Sequence, residues 1–434
     1  MSAADAIGCA LSLICALAIC LIARRQESSS LMKGVVTVGV AARVAGAIGY
    51  LLLVNAVYGR GDYQFYHETA AQYADRLWLF DFGMFVDSDE WLLGQWWGTQ
   101  FVFFPAAFAL MFFGPHVLGA FVAFSLLAFG GLWSIVKAWR EALPGVEAHR
   151  FALAVFLFPS LCFWPSALGK DALLLCGLGV STLGFVRLRS VANVGAWFLT
   201  AAGIALVFAI RPQVAAVVML AMVMSQWFVG AKAWTPGRIV AALLFSAVAL
   251  AAIRLSLGTA GVAEKGYEGV TDYIDRKATS AADSGSIVSG PGSGPLGPFI
   301  ALFSILFRPL PWEITSVTTL LAGAEVIGIW ALAWIKRKSL MASLREARRN
   351  RLLAFSVIFT LGYSVSLGLV VVNMGIIARQ RIFIFPFLLL LLLAHERVPR
   401  LVATRERAAP PPRPMAEPAP FRPRRGRPRV PQEA

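Results

Sequence analysis

Long apolar runs separated by short polar connections dominate the chain. A helix needs roughly 20 mostly apolar residues, at about 1.5 Å rise each, to cross a bilayer. Eleven stretches approach or meet that length, at about 6–23, 35–57, 117–136, 151–168, 172–186, 192–210, 213–231, 239–257, 315–335, 353–373 and 381–395. The pattern predicts an all-α, polytopic integral membrane protein with about 11 transmembrane helices. Two further apolar stretches are set apart as interfacial or re-entrant segments. They are residues 91–113, with Trp91, Trp96, Trp97 and Pro105, and residues 296–309. Counting 98–113 as a full span would invert every later connection relative to its charge.

Two long connections remain, at about 58–116 and 258–314. In the first, Tyr66, Ala70, Tyr73 and Leu77 recur at helical spacing opposite His67, Glu68, Gln72 and Asp75. That alternation predicts an amphipathic helix lying on a membrane face. The second joins a charged stretch to the Gly/Ser/Pro-rich link SGSIVSGPGSGPLGP, expected as a flexible spacer, with a substrate-gating loop as the alternative. Residues 1–395 form the expected membrane domain, and 396–434 a disordered basic Pro/Arg-rich tail.

Composition agrees with this pattern: of 434 residues, 58% are hydrophobic and 15% charged, which excludes an ordinary soluble globular enzyme. The net charge of +15 would suggest nucleic acid if it were uniformly exposed. It is not uniform, because alternate connections hold Arg24/Arg25/Lys33, Lys137/Arg140/Arg150, Arg187/Arg189, Lys232/Arg238 and Lys336/Arg337/Lys338. Placing these on the cytoplasmic side puts the N-terminus outside and the Arg-rich C-terminus inside. The charge is then a topology signal, and no nucleic-acid partner is expected. Arg24 and Arg25 follow the first run, which is read as a retained helix rather than a cleaved signal. The five cysteines lie in apolar runs without metal-ligand spacing.

Ionisable residues at a membrane boundary are costly, so those on the side with little topological need for cations are the candidates for chemistry. They are Lys170 in the turn between spans four and five, Arg211 in Ile-Arg-Pro, Arg308 and Glu313 flanking Pro-Leu-Pro-Trp, and Arg379 and Arg381 in Ala-Arg-Gln-Arg. Guanidinium and ammonium groups above an apolar groove suit an anionic headgroup on a lipid tail, such as a polyprenyl phosphate or diphosphate. Each cation alone also fits the role of interfacial anchor. Asp62 follows the second span beside Tyr63, Tyr66 and His67, an aromatic surround suited to sugar rings, and is the preferred general base. A helix-capping role fits Asp62 equally well. His67 is a second candidate base or an interfacial polar residue. Asp87-Ser-Asp89-Glu90 has the spacing that holds a divalent cation on a diphosphate, although short acidic triplets are common and no metal is expected. Glu325, mid-span, is expected to be protonated or paired inside the bundle, with Arg43 as the candidate partner.

An early Gly-Asp-Tyr-x-x-Tyr, then Phe-Pro-Ser-Leu-Cys-Phe-Trp-Pro-Ser-Ala-Leu-Gly-Lys-Asp-Ala at 158–172, follow in order along the chain. Ile-Arg-Pro at 210–212, Phe-Arg-Pro-Leu-Pro-Trp-Glu at 307–313 and Arg-Gln-Arg-Ile-x-x-Phe-Pro at 379–386 complete the series. This order resembles EpsG-like and Wzy-type repeat-unit polymerases of bacterial surface polysaccharides and, more distantly, GT-C glycosyltransferases. The resemblance implies extracytoplasmic glycosyl transfer from an undecaprenyl-linked sugar, in the bacterial cytoplasmic membrane. A flippase and a chain-length regulator are the implied partners beside membrane lipids. On the same footing Asp62 takes the acidic position of GT-C enzymes, and Arg211, Arg308, Arg379 and Arg381 the functional arginines of the polymerases. The acidic loop here follows the second span rather than the first and lacks a paired carboxylate, departures that favour a polymerase over a single-sugar transferase.

Overall fold

A computed structural model describes residues 3–59, 61–91, 94–144, 146–188, 193–229, 242–247, 296–371 and 373–395, with a few positions between 239 and 254. Every extended element among the described residues is a helix. The first half contains α1 (Ala3–Arg25), α2 (Ser30–Leu53), α3 (Asp62–Trp78), the short α4 (Gly83–Val86), α5 (Thr99–Phe113) and α6 (Val117–Ala142). There follow α7 (Ala148–Leu157), α8 (Pro159–Phe163), α9 (Lys170–Arg187), α10 (Val194–Ile210) and α11 (Pro212–Phe228). After the undescribed stretch come α12 (Gly297–Phe307), α13 (Val317–Ile335), α14 (Arg337–Glu346), α15 (Arg351–Val370), α16 (Met374–Gln380) and α17 (Phe385–Leu393).

Among the described residues, four helices are long and apolar enough to cross a membrane: α1, α2, α6 and α15. The number rises to seven if each of three bent pairs is one span: α7–α8 at 66°, α13–α14 at 75°, and α16–α17 at 54°. Two of the runs expected as continuous spans are therefore interrupted. In 151–168 the break falls at Phe158-Pro159, because proline supplies no N–H to the preceding turn and clashes with continued helix. In 381–395 a 3-10 turn at Arg381–Phe383 precedes Phe385-Pro386. The runs 172–186, 192–210 and 213–231 form α9, α10 and α11, helices of 17 or 18 residues that fall outside those seven. The stretches set apart from the spans form α5, with Pro105 inside it, and α12, of 15 and 11 residues. The run 239–257 is described only in part, and the Gly/Ser/Pro link lies mostly, and the tail from 396 wholly, outside the described residues.

The most enclosed of the four long helices is α6, and α1 is the most peripheral. Helix α9 packs between α6 and α10. Its glycines explain how: a Cβ on Gly179 would stand 2.0 Å from the Gly131 carbonyl oxygen of α6, and one on Gly184 would stand 2.4 Å from the Thr200 nitrogen of α10. Small residues let helix backbones approach where lipid and leucine are equally apolar and only close packing distinguishes association. One end of the bundle is fastened by polar pairs: Arg140 bidentate on Glu27 (2.6 and 2.9 Å), Arg187 on Glu141 (2.6 Å), and Asn350 on the Ala142 carbonyl (2.8 Å). The other end carries the cluster described next.

Candidate functional site

Three helix starts and two helix ends meet around Arg379. Helix α2 finishes in a π-turn, Val54–Tyr58, and the chain reverses through Gly59, whose φ of 66° is costly for a residue with a Cβ. This delivers Asp62 to the first position of α3, with Gly61 as N-cap. The tyrosine stripe of α3 faces inward: Tyr63, Tyr66, Ala70, Tyr73 and Leu77 are buried, while Glu68, Gln72 and Asp75 are exposed. Tyr66 and Tyr73 pack on Phe103 of α5. Helix α9 begins with Lys170-Asp171, and α10 and α11 meet at Arg211, where Pro212 opens the next helix. Helix α16 begins at an Asn373 cap and carries Arg379 on its last turn.

Arg379 binds two carboxylates from distant parts of the chain. Its Nε donates to Asp171 Oδ2 at 2.5 Å and its Nη1 to Asp62 Oδ2 at 2.7 Å. The two acids differ in surroundings, since the Asp171 side chain is 2% exposed and that of Asp62 71%. The guanidinium also lies 5.9 Å from the Trp164 ring centre, and a Cβ at Gly169 would stand 3.8 Å from both its Nη2 and Tyr66. Lys170 and Arg211 join the same electrostatic neighbourhood. Burial first, then Arg211 and Arg379, push the Lys170 ammonium down to about 8. Burial raises the Tyr66 hydroxyl, opposed by Arg379.

Two polar atoms of the cluster are buried and have no partner: Asp171 Oδ1 and Arg211 Nη1. Among the described residues, neither Lys170 nor Arg211 has a carboxylate at ion-pair distance. An open concavity of about 460 Å³ adjoins the cluster at the start of α3, lined by Gly61, Asp62, Gln64, Phe65 and Glu68. The arrangement can therefore receive an anion on Lys170, Arg211 and the free edge of Arg379, next to carboxylates able to accept hydroxyl protons.

The structure divides the residues singled out from the sequence. Asp62, Tyr66, Lys170, Arg211 and Arg379 come together. Tyr63 lies beneath them, its hydroxyl donating to Asn55 Oδ1 at 3.0 Å and its ring set edge-on to Phe121. His67 points the other way, with Nε2 2.6 Å from the Pro115 carbonyl, to which only a protonated Nε2 can donate. Arg308 is chelated by Glu313, with Nε 2.8 and 3.0 Å from the two carboxylate oxygens, so its charge is already matched. Arg381 is 2% exposed and donates to the Arg308 carbonyl. The expected Glu325–Arg43 pair is replaced: Glu325 accepts from the Ser160 N–H at 2.6 Å and from the Ser160 hydroxyl, and Arg43 donates to the Leu161 carbonyl. The physical reason is the α7–α8 break, which frees backbone groups that these side chains then satisfy. Asp87 uses one oxygen to accept the Asp89 N–H at 3.0 Å, capping a 3-10 turn, and both carboxylates are exposed. Among the described residues no group of three His, Cys, Asp or Glu side chains converges on a common point.

Asp171 is the site residue that sequence reasoning misses, because in the sequence it is only the acid next to Lys170. Its burial and its bond to a residue 208 positions away are tertiary facts. Tyr363, whose hydroxyl donates to Gln380 at 3.1 Å, was likewise one apolar-run residue among many. No family model, curated protein or solved structure matches this chain.

Proposed function

We propose that the chain is a membrane glycosyltransferase that polymerises or transfers polyprenyl-diphosphate-linked oligosaccharide in the assembly of surface polysaccharide. The observation that carries this reading is the meeting of Lys170, Arg211 and Arg379 at one end of an apolar bundle, beside tyrosines and two carboxylates. Lys170, Arg211 and Arg379 hold the diphosphate and stabilise the charge that develops on it as it departs. The concavity at Asp62, Gln64, Phe65 and Glu68 is the space where a sugar ring would lie, and the acceptor hydroxyl gives its proton to a carboxylate of the cluster. Arg308 and Arg381 support this end of the bundle rather than the phosphate. On this reading the site faces the extracytoplasmic side of the bacterial inner membrane and the C-terminus is cytoplasmic.

The test is a product ladder from cells in which this chain is the sole copy. Arg211→Ala and Arg379→Ala should each shorten or abolish the ladder while the protein still inserts. Unchanged polymer length and yield in both variants would refute the assignment. A fixed mass increment in place of a ladder would identify a GT-C type enzyme adding one lipid-linked sugar. One observation favours a second reading, a non-enzymatic transporter of a lipid-linked glycan: three bent helix pairs, two of which place Ser160–Glu325 and buried Arg381 at their breaks. Movement of a fluorescent undecaprenyl-diphosphate sugar across proteoliposomes, without bond formation, would establish that reading instead.

A further inference from the structure

Of the two carboxylates bound to Arg379, only Asp171 has a buried oxygen without a hydrogen-bond donor. Asp62 is largely solvated, and water satisfies whatever Arg379 does not. Asp171 is enclosed, its Oδ2 is held by Arg379 Nε, and its Oδ1 has no donor. A buried charged acceptor without a partner is unfavourable and demands a donor when the site is occupied. The Tyr363 hydroxyl, which shares this electrostatic neighbourhood, is committed to Gln380. Lys170 and Arg211, which would hold a phosphate, lie in the same electrostatic neighbourhood as Asp171.

We propose that Asp171, rather than Asp62, receives the acceptor hydroxyl and takes its proton during glycosyl transfer. This rests on the glycosyltransferase reading above. The hydroxyl proton passes to Asp171 Oδ1, and the hydroxyl oxygen's electron pair forms the new bond to the anomeric carbon. The bond from that carbon to the phosphate oxygen breaks, and its electron pair leaves on the diphosphate, held by Lys170, Arg211 and Arg379. Arg379 thus serves both partners, keeping Asp171 oriented through Nε while its outer edge meets the leaving group. Asp62 is a positioning residue, holding the guanidinium from the solvent side.

The experiment measures two quantities on the full chain: binding of undecaprenyl diphosphate to the purified protein, with undecaprenol as the neutral control, and polymer yield in cells. Asp171→Asn should retain binding within about threefold, or tighten it, because an anion competing for Arg379 has been removed. Its polymer yield should fall at least 100-fold. Loss of binding together with yield would show that Asp171 merely positions Arg379, and yield within tenfold of wild type would show that it is not the base; either overturns the proposal. Asp62→Asn supplies an independent measurement should Asp171→Asn fail to accumulate. A yield loss of tenfold or less with binding retained supports Asp171. Abolished yield with binding retained makes Asp62 the base and refutes the proposal. Wild-type protein that does not prefer undecaprenyl diphosphate over undecaprenol would instead defeat the underlying glycosyltransferase reading, a failure separate from the choice of carboxylate.

Discussion

Replacing Arg379 by Gln should destabilise the protein far more than replacing either of its partners. The substitution leaves Asp171, 2% exposed, as a buried carboxylate without counter-charge. Removing one member of a buried pair costs about 3–5 kcal/mol, because the remaining charge keeps its desolvation penalty and loses the compensating attraction. The bond to Asp62 adds at most about 1 kcal/mol, since that side chain is 71% exposed and screened by solvent. Asp62→Asn should therefore fall within that small range. Asp171→Asn should lie between the two, because Arg379 keeps Asp62 and is itself 25% exposed. The assay is unfolding of the purified protein by SDS titration, with Arg379→Gln, Asp171→Asn and the double variant completing a thermodynamic cycle. The double variant should be less destabilised than the sum of the singles, by about 1 kcal/mol or more. If Arg379→Gln cost no more than Asp62→Asn, or if the cycle showed coupling below about 0.5 kcal/mol, the buried pair would not be what ties α9 to α16.

Four further outcomes follow from other residues. Lys170, pushed down to about 8, is penalised in the folded state while charged, so stability should rise by roughly 3 kcal/mol between pH 8 and its ordinary value near 10.4, and Lys170→Met should remove that rise. Phosphate affinity should move the opposite way, weakening above pH 8 as the ammonium loses its proton, as measured with undecaprenyl diphosphate. Glu313 is held below the usual carboxylate range by Arg308, so its contribution is present above that range and lost as pH falls; acid titration of Glu313→Gln should lack this loss. Gly179→Leu has no room against the Gly131 carbonyl and should cost well over 3 kcal/mol or prevent accumulation, whereas Gly34→Leu, with nothing within 4 Å of its Cβ position, should accumulate normally.

Much of the helical layout was legible because burial in lipid and helix length leave a strong one-dimensional trace. The tyrosine stripe of α3 is one case: residues three and four apart share a face, so its buried side could be read without any partner. The helix breaks were less legible. Pro159 and Pro386 were in view, but an apolar run of sufficient length masks a bend, since hydropathy sums composition and ignores the missing hydrogen bond. Within the candidate site, Lys170, Arg211 and Arg379 stood out as cations in places where the expected topology has little use for them. Arg308 and Arg381 stood out for the same reason, and the structure separates them from the others by giving one a carboxylate five residues away and burying the second against a carbonyl.

What the sequence alone determined is the class of the molecule: apolar helices in number, several long enough to cross a membrane, and a set of cations awaiting an explanation. These depend on composition and periodicity, which are local quantities. Which cations share a site, which carboxylate is enclosed, and which side chain satisfies the freed backbone at Ser160 were decided only by tertiary structure. Those outcomes depend on distances between residues more than 160 positions apart, and on desolvation that exists only once α3, α9, α11 and α16 have packed. Asp62 and Asp171 show the difference: as letters they are the same acid beside aromatic or basic neighbours, and in the fold one is bathed in solvent while the other is closed off with a single oxygen still unpaired.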